Sequence, residues 1–186
     1  MKRQYTNRRY LEAINKKVII FDGAMGTSLQ NMGLTSQDFS GEKYQGCNDY
    51  LVISCPSAVE AVHRSFLKVG VDVIETNSFR ANRITLGEFN LENQVYEINR
   101  HAAALSRQIA DEFSAKGHKR FVAGSMGPTG KLPSMSKSES PNFSFDEYTN
   151  VFCQQAIGLI EGGVDLILLE TQQDILEVKA AIHGIH

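Results

Sequence analysis

Acidic side chains stand where apolar runs of the sequence end. Asp22 closes VIIFD, Glu75 lies in DVIETNSF, and Glu170 lies in DLILLET. Asn77 follows Glu75 closely, and Ser125 stands near the end of a fourth run, RFVAGSMG. Carboxylates and polar groups gathered at one edge can bind an ammonium group, or a divalent cation such as Mg²⁺ or Mn²⁺. The alternative is that each acid only caps a helix or forms a surface ion pair.

The turn after Asp22 consists mostly of small residues. It reads DGAMGTSL, so that Gly23, Ala24, Met25 and Gly26 directly follow the acid. An anionic group can approach such backbone N–H groups closely because little side chain stands in the way. The nucleotide fingerprints GxGxxG and GxxxxGK[ST] do not occur in this turn. A substrate with both a carboxylate and an ammonium group fits best, and we therefore expect an amino acid.

The cysteines and histidines give little support for a metal site. Cys47, Cys55 and Cys153 are widely spaced, and they fit neither a disulfide framework nor a CxxC metal site. This cysteine usage favours a reducing, cytoplasmic setting. The histidines fall on predicted helices, at a helix end or at the terminus, where we expect surface positions; they are His63, His101, His118, His183 and His186.

Apolar runs alternate with helical patterns along the chain. Strands are predicted over residues 18–22, 72–79, 120–127 and 165–171. Helices are predicted over residues 57–70, 92–117, 145–163 and from residue 174 onward. This alternation indicates an α/β domain with a parallel sheet. The strand-to-helix connections are the long ones, so functional residues are expected at the carboxyl ends of the strands.

Three further features of the sequence bear on this organisation: an internal repeat, the basic N-terminal segment, and the connection after the third predicted strand. GVDVIETN resembles GVDLILLETQ further along, and such recurring modules favour a barrel over a doubly wound sheet. Residues 1–17 are rich in Lys and Arg, and we expect a short surface helix with Tyr10, Leu11 and Ile14 on one side. After the third predicted strand, residues 127–130 are expected to line the site or cover it, and residues 134–144 to form a surface loop.

Composition excludes some classes of partner. The 186 residues carry a formal net charge of -2, which gives no electrostatic reason to expect nucleic acid. No apolar run reaches the roughly 20 residues that span a bilayer, so no membrane partner is expected. The proportions of 42% hydrophobic and 22% charged residues are typical of one folded domain.

Five motifs follow one another in an order typical of one enzyme family. They are DGAMGTSL, GCNDYL followed by a proline, GVDVIETNSFRAN, GSMGPTGKL and EGGVDLILLETQQDILEVKAA. From about residue 18 onward, the sequence resembles the homocysteine S-methyltransferase family. Within that family it looks most like the homocysteine-binding domain of cobalamin-dependent methionine synthase.

The resemblance implies a (β/α)8 TIM barrel that binds homocysteine and a zinc ion. Coordination by zinc would keep the substrate thiol deprotonated for attack on a methyl group. Asp22 and Glu170 match family acids that bind the amino group, and the backbone after Asp22 would bind the carboxylate. The family's zinc cysteines follow later strands and match none of the cysteines here. Residues 18–186 would then be the first four β/α units, a half barrel that is inactive alone.

The resemblance also implies cofactors and partners for a full-length parent. Zinc and cobalamin would serve a methyl transfer from methylcobalamin to homocysteine that yields methionine, and neither is expected to bind this chain alone. The implied partners are L-homocysteine, the remaining barrel half, and the folate and cobalamin domains. The predicted substrate-binding residues are Asp22, Gly23, Ala24, Met25, Gly26, Glu75, Asn77, Ser125 and Glu170.

Other interpretations remain open. A half barrel leaves strand edges and apolar helix faces unpaired, so the chain could be a non-catalytic binding module that associates with itself. It could also be part of a methyltransferase that uses betaine or S-methylmethionine as the methyl donor. A third interpretation is an unrelated barrel enzyme that holds a divalent cation with Asp22, Glu75 and Glu170.

Overall fold

The fold is an α/β arrangement around a parallel sheet, as the sequence predicts. The computed structural model describes residues 9–114, 118–135 and 143–186. The strands are β1 (Val73–Glu75), β2 (Phe121–Met126) and β3 (Leu166–Leu169), in the order β1-β2-β3. Glu75 lies opposite Ala123 on β2, and Ser125 lies opposite Leu168 on β3. The polar residues at the ends of the strands therefore come to one edge of the sheet.

The prediction of a regular first strand at residues 18–22 is wrong. Phe21 makes an isolated parallel bridge to Val73, and the N–H of Asp22 donates to the Val73 carbonyl at 3.0 Å. The segment runs beside β1, but the described residues give it no neighbour on its other side. Ile20 is 57% exposed as a result. The Ile20 N–H donates to the Asp72 side chain at 3.1 Å instead of to a backbone carbonyl, so the ladder does not extend beyond one bridge.

Helices cover the outer face of the sheet. The longer ones are α4 (Pro56–Val69), α6 (Val95–Glu112), α7 (Phe145–Gly162) and α8 (Ile175–Ile185). Shorter ones are α1 (Arg9–Ile14), α2 (Met25–Gln30), α3 (Leu51–Ser54) and α5 (Arg83–Gly87), with 3-10 turns at Glu42–Tyr44, Asn48–Tyr50 and Glu92–Gln94. Capping defines several ends: Gly70 closes α4 in the left-handed conformation, and Asp174 caps α8.

The two faces of the sheet have different neighbours because strand residues alternate in direction. Ile74 and Val122 pack outward against α4 and α6, together with Leu67 and Ile109. Val73, Phe121 and Ala123 form the core of the opposite face. In a barrel, this opposite face of the sheet would line the interior, and we call it the inner face.

Helix α1 covers part of that inner face. The Tyr10 ring meets the Phe121 ring edge-on, with 5.5 Å between the centroids, and Ala13 packs in the same cluster. Leu11 and Ile14, which the sequence pattern places on the side of Tyr10, are 51% and 44% exposed. Fewer residues of α1 therefore pack against the sheet than the sequence pattern predicts.

Glycines allow the outer helices to approach one another closely. A Cβ added at Gly162 of α7 would lie 2.6 Å from the Arg100 carbonyl oxygen of α6. A Cβ at Gly184 of α8 would overlap the Thr149 carbonyl oxygen of α7. These crossings bring backbone against backbone, which only glycine permits.

Some predictions fall outside the described residues. They concern residues 136–142 of the expected surface loop and positions 1–8 of the basic segment; the predicted helix end at Gly117 is wrong, because α6 ends at Glu112. Among the helices that the structure describes, none combines the length and the apolar character needed to cross a membrane.

Candidate functional site

A cavity of about 320 Å³ opens at the carboxyl end of the sheet. Its walls come from the segment after residue 22, from the loop that follows β1, and from the carboxyl ends of β2 and β3. The predicted site residues that line it are Ala24, Met25, Gly26, Glu75, Asn77, Ser125 and Glu170. Residues from distant parts of the sequence thus meet at the carboxyl ends of the parallel strands, where the sequence predicts the functional residues.

Asp22 lies behind the cavity wall. Neither Asp22 nor Gly23 is among the lining residues. The Asp22 side chain is 4% exposed, and its Oδ1 accepts a hydrogen bond from the backbone N–H of Glu75 at 2.9 Å. Asp22 therefore fixes the end of β1, from which Glu75 reaches the cavity.

The acids at this edge have unusual proton affinities. Burial raises the pKa of Asp22 to about 7, and the negative charges of Glu75 and Glu170 contribute. Burial also raises the pKa of Glu75 to about 7, again with a contribution from Glu170. The Ser125 hydroxyl donates a hydrogen bond to Glu170 Oε1. A cation entering the cavity would relieve the repulsion among these carboxylates.

A second wall contains residues that the sequence reasoning did not select. The Asn77 amide donates to the Asn48 carbonyl at 2.7 Å, and Asp49 Oδ1 accepts from the Arg80 N–H at 2.9 Å. Burial raises the pKa of Asp49 to about 6. These bonds join two loops into one wall, to which Phe79 also contributes. The sequence signals for this wall are the motifs GCNDYL and GVDVIETNSFRAN, which assign no role to Asn48, Asp49, Phe79 or Arg80.

The small-residue turn has an unusual backbone. Ala24 adopts a φ of 52°, in the left-handed region that non-glycine residues rarely occupy. Helix α2 begins directly after it, and no side chain caps the first turn. The N–H groups of Met25 and Gly26 therefore have no acceptor within the helix. Both residues line the cavity, where an anionic group of a ligand can approach them.

His63 is buried, so the prediction of a surface position is wrong. The side chain is 0% exposed, its Nδ1 lies 4.0 Å from Asp22 Oδ2, and its Nε2 lies 3.1 Å from Ser106 Oγ. Burial lowers the pKa of His63 to about 4. The sequence carries a signal for this burial, because His63 is four residues from both Val59 and Leu67, which belong to the apolar stripe of α4.

Sequence comparison identifies relatives of this chain. The family model described as homocysteine S-methyltransferase matches residues 19–186. The chain belongs to the homocysteine S-methyltransferase family. It is 37% identical over 174 residues to the methionine synthases of Mycobacterium leprae (strain TN) and Mycobacterium tuberculosis (strain ATCC 25618 / H37Rv). The match covers 94% of this chain and 14% of each of those proteins.

Solved structures share the fold. The homocysteine methyltransferase MmuM from Escherichia coli in its metallated form superposes with a TM-score of 0.72 at 22% identity. The superposition covers 93% of this chain and 60% of MmuM. The apo form of MmuM gives a TM-score of 0.68 at 22% identity. The predicted family is thus confirmed, together with a fold similar to that of a TIM-barrel family.

The described residues of this family member do not supply a zinc site. Burial raises the pKa of the Cys47 thiol to about 12, which disfavours the thiolate that binds zinc. Cys55 precedes α4 and Cys153 lies within α7. No group of three His, Cys, Asp or Glu side chains in the described ranges is placed to hold a metal ion. This finding also counts against a divalent cation held by the three strand-end acids.

The loop at residues 127–130 packs against neighbouring elements. A Cβ at Gly127 would lie 2.6 Å from the Phe79 ring, so the loop crosses directly beneath a cavity residue. The Thr129 N–H donates to Glu177 Oε1 of α8 at 2.8 Å. Residues 127–130 are not among those that line the cavity. In this family member the loop supports the cavity wall from behind.

Proposed function

We propose that the cavity binds the amino acid end of L-homocysteine, in a methyltransferase of the methionine synthase type. The observation that carries the proposal is that two carboxylates and an uncapped small-residue turn line one cavity. The carboxylates, Glu75 and Glu170, suit an ammonium group, and the turn suits a carboxylate. An amino acid substrate presents both groups a short distance apart.

The ammonium end of the ligand is assigned to Glu170 and Glu75. Both residues line the cavity, and the Ser125 hydroxyl orients Glu170 through a hydrogen bond. The sequence assigned this role to Asp22 and Glu170; the geometry supports Glu170 directly and Asp22 through its bond to the Glu75 N–H. A bound ammonium would lower the pKa of Glu75, so that binding favours the ionised carboxylates.

The carboxylate end is assigned to the backbone at Met25 and Gly26. Uncapped N–H groups in a first helical turn are partners for a carboxylate, and Gly26 adds no side chain that would keep a ligand away. The cavity, of about 320 Å³, is at the small end of the range for ligand pockets, as a small amino acid requires.

The wider role rests on the relatives. The chain spans only 14% of the methionine synthases that it matches, so activity is proposed for a longer parent. In that parent we propose that this segment forms the first four units of a barrel, and that methylcobalamin donates the methyl group. No step of this proposal uses zinc, since the described residues do not fit it. We expect the chain alone to bind the amino acid, in the cytoplasm, without transferring a methyl group.

Titration calorimetry of the 186-residue chain with L-homocysteine tests the proposal. Glu170→Gln should weaken binding by roughly 5- to 150-fold, because it removes a charged partner of the ammonium group. Glu60→Gln, on the outer surface of α4, is the matched control and should leave affinity unchanged. Absence of homocysteine binding by the unmodified chain, or equal effects of the two substitutions, would overturn the assignment.

A second candidate function is a non-catalytic module that assembles with itself. The specific observation is the open side of the sheet: β3 pairs with β2 alone among the described strands, and Leu166 and Leu168 on its inner face are only partly buried. Unpaired strand edges favour association. Light scattering decides the question, since a well-folded monomer at high concentration would exclude this function.

A further inference from the structure

One nitrogen of the buried His63 ring has no hydrogen-bond partner. The ring is 0% exposed, and its Nδ1 is the atom left unsatisfied. A buried polar atom without a partner is costly, so its surroundings call for an explanation. The nearest charged group to it is Asp22 Oδ2, at 4.0 Å.

The other ring nitrogen determines the tautomer. Nε2 lies 3.1 Å from Ser106 Oγ, and the same Oγ lies 2.8 Å from the Ala102 carbonyl oxygen. A carbonyl can only accept, so the single hydroxyl proton of Ser106 points to Ala102. Ser106 must then accept from His63, which places a proton on Nε2. In the neutral ring, Nδ1 is consequently a bare acceptor.

The bare Nδ1 of His63 therefore faces a carboxyl oxygen of Asp22. Two acceptors do not attract each other unless a proton lies between them. The other oxygen of Asp22, Oδ1, is occupied by the Glu75 N–H at 2.9 Å. At 4.0 Å the two facing atoms are too far apart for a hydrogen bond, so a bond between them requires an approach of about 1 Å.

We propose that His63 is a positioning residue whose Nδ1 accepts a hydrogen bond from protonated Asp22, and that this pair holds the end of β1 against the cavity. The chain of contacts runs from Ser106 through His63 and Asp22 to the backbone of Glu75. Its effect on amino acid binding rests on the function proposed above, whereas the pair itself does not. Nothing is transferred: Asp22 Oδ2 keeps its proton and shares it with the imidazole.

The charges around the pair favour a neutral Asp22. Burial is the main cause that raises its pKa, and the negative charges of Glu75 of β1 and Glu170 after β3 raise it further. On the side of α4 the facing group is His63, and on the side of α6 it is the neutral Ser106. His63 gains no charge easily, because burial lowers its pKa. A neutral Asp22 adds no negative charge behind the cavity that Glu75 and Glu170 line.

The pair can be tested by nitrogen and carbon NMR on the full chain. The Nε2 atom of His63 should carry the proton across neutral pH, and the Asp22 carboxyl should titrate near its raised pKa of about 7. Ser106→Ala frees the ring to place its proton on Nδ1, where it would stabilise ionised Asp22. The Asp22 titration should then fall by about one pH unit.

Ser65→Ala provides the control. Its hydroxyl also donates to a carbonyl of its own helix, that of Val62 at 2.7 Å, without meeting a histidine. It should leave the Asp22 titration unchanged. The proposed hydrogen bond from Asp22 to His63 is refuted if Nδ1 carries the proton in the unmodified chain. It is also refuted if Ser106→Ala leaves the Asp22 titration unchanged.

Binding of L-homocysteine across the same pH range separates the two proposals. If Asp22 sets the charge of the cavity, the pH profile of the affinity should shift in Ser106→Ala together with the NMR titration. His63→Asn keeps an acceptor near Asp22 and should retain binding, whereas His63→Leu removes the acceptor and should weaken binding. A profile unmoved by Ser106→Ala refutes the link between the pair and binding. If the chain does not bind L-homocysteine at any pH, the proposed function is refuted, and the NMR titration alone tests the hydrogen bond between Asp22 and His63.

Discussion

Asp22→Asn should stabilise the fold at alkaline pH and have little effect in acid. The Asp22 side chain is 4% exposed, and its pKa is raised from 3.8 to about 7. An acid with a raised pKa contributes stability that is complete below its unfolded pKa and is lost as the pH rises through the folded value. The unmodified chain should therefore lose stability between about pH 4 and pH 7, and the asparagine variant should avoid this part of the loss.

The magnitude of this effect follows from the shift. A pKa change of about three units corresponds to a ceiling of about 4 kcal/mol in the free energy of unfolding. Glu75 titrates in the same range and shares part of the interaction, so a gain of about 1–3 kcal/mol is expected near pH 8. The contacts should survive, because the side-chain oxygen of the asparagine can still accept from the Glu75 N–H while its amide donates to His63.

Urea denaturation followed by circular dichroism, near pH 4 and near pH 8, measures the effect. Glu12→Gln on the exposed face of α1 is the control, and it should give the same difference from the unmodified chain at both pH values. His63, whose pKa is lowered, contributes stability that rises with pH, in the direction opposite to that of Asp22. A variant less stable at both pH values, or a gain independent of pH, would refute the reasoning.

Three further predictions concern other parts of the fold. Glu170→Ala should weaken L-homocysteine binding by about 1–3 kcal/mol in calorimetry, and an unchanged affinity would remove Glu170 from the site. Gly162→Ala should lower the free energy of unfolding by about 1–3 kcal/mol, because its Cβ would lie 2.6 Å from the Arg100 carbonyl; a neutral result in calorimetric melting would show that α7 can move aside. Glu177→Ala should leave the Thr129 N–H unpaired and speed tryptic cleavage of the adjoining loop at neutral pH, whereas unchanged cleavage would argue that other contacts hold it.

The strand-end acids show what the sequence can predict. Glu75, Ser125 and Glu170 line the cavity because parallel strands bring their carboxyl ends to one edge, whatever the loops between them do. That rule needs only the position of each apolar run. The same runs were enough to predict a parallel sheet with helices between its strands.

The wrong or missing predictions concern residues whose structure depends on neighbours that are distant in the sequence. Residues 18–22 have the composition of a strand, but they form a single bridge because the Ile20 N–H binds the Asp72 side chain instead of a ladder carbonyl. His63 is predicted as a polar residue on a surface helix, although its spacing from Val59 and Leu67 places it on the apolar stripe of α4 that packs against α6. Asp49 belongs to a loop whose position is set by its bond to the Arg80 N–H, a partner far along the chain.

The close helix crossings at Gly162 and Gly184 also bear on how the chain acquires its structure. Glycine in a helix interior disfavours an isolated helix by about 1 kcal/mol relative to alanine, and α7 carries this cost at Gly158, where the missing Cβ likewise lets it approach the backbone of α6. Peptides of either helix should then be largely unstructured in water. We therefore expect the outer helices to form their structure as they pack. Helix α7 becomes helical as it docks on α6, and α8 becomes helical as it docks on α7.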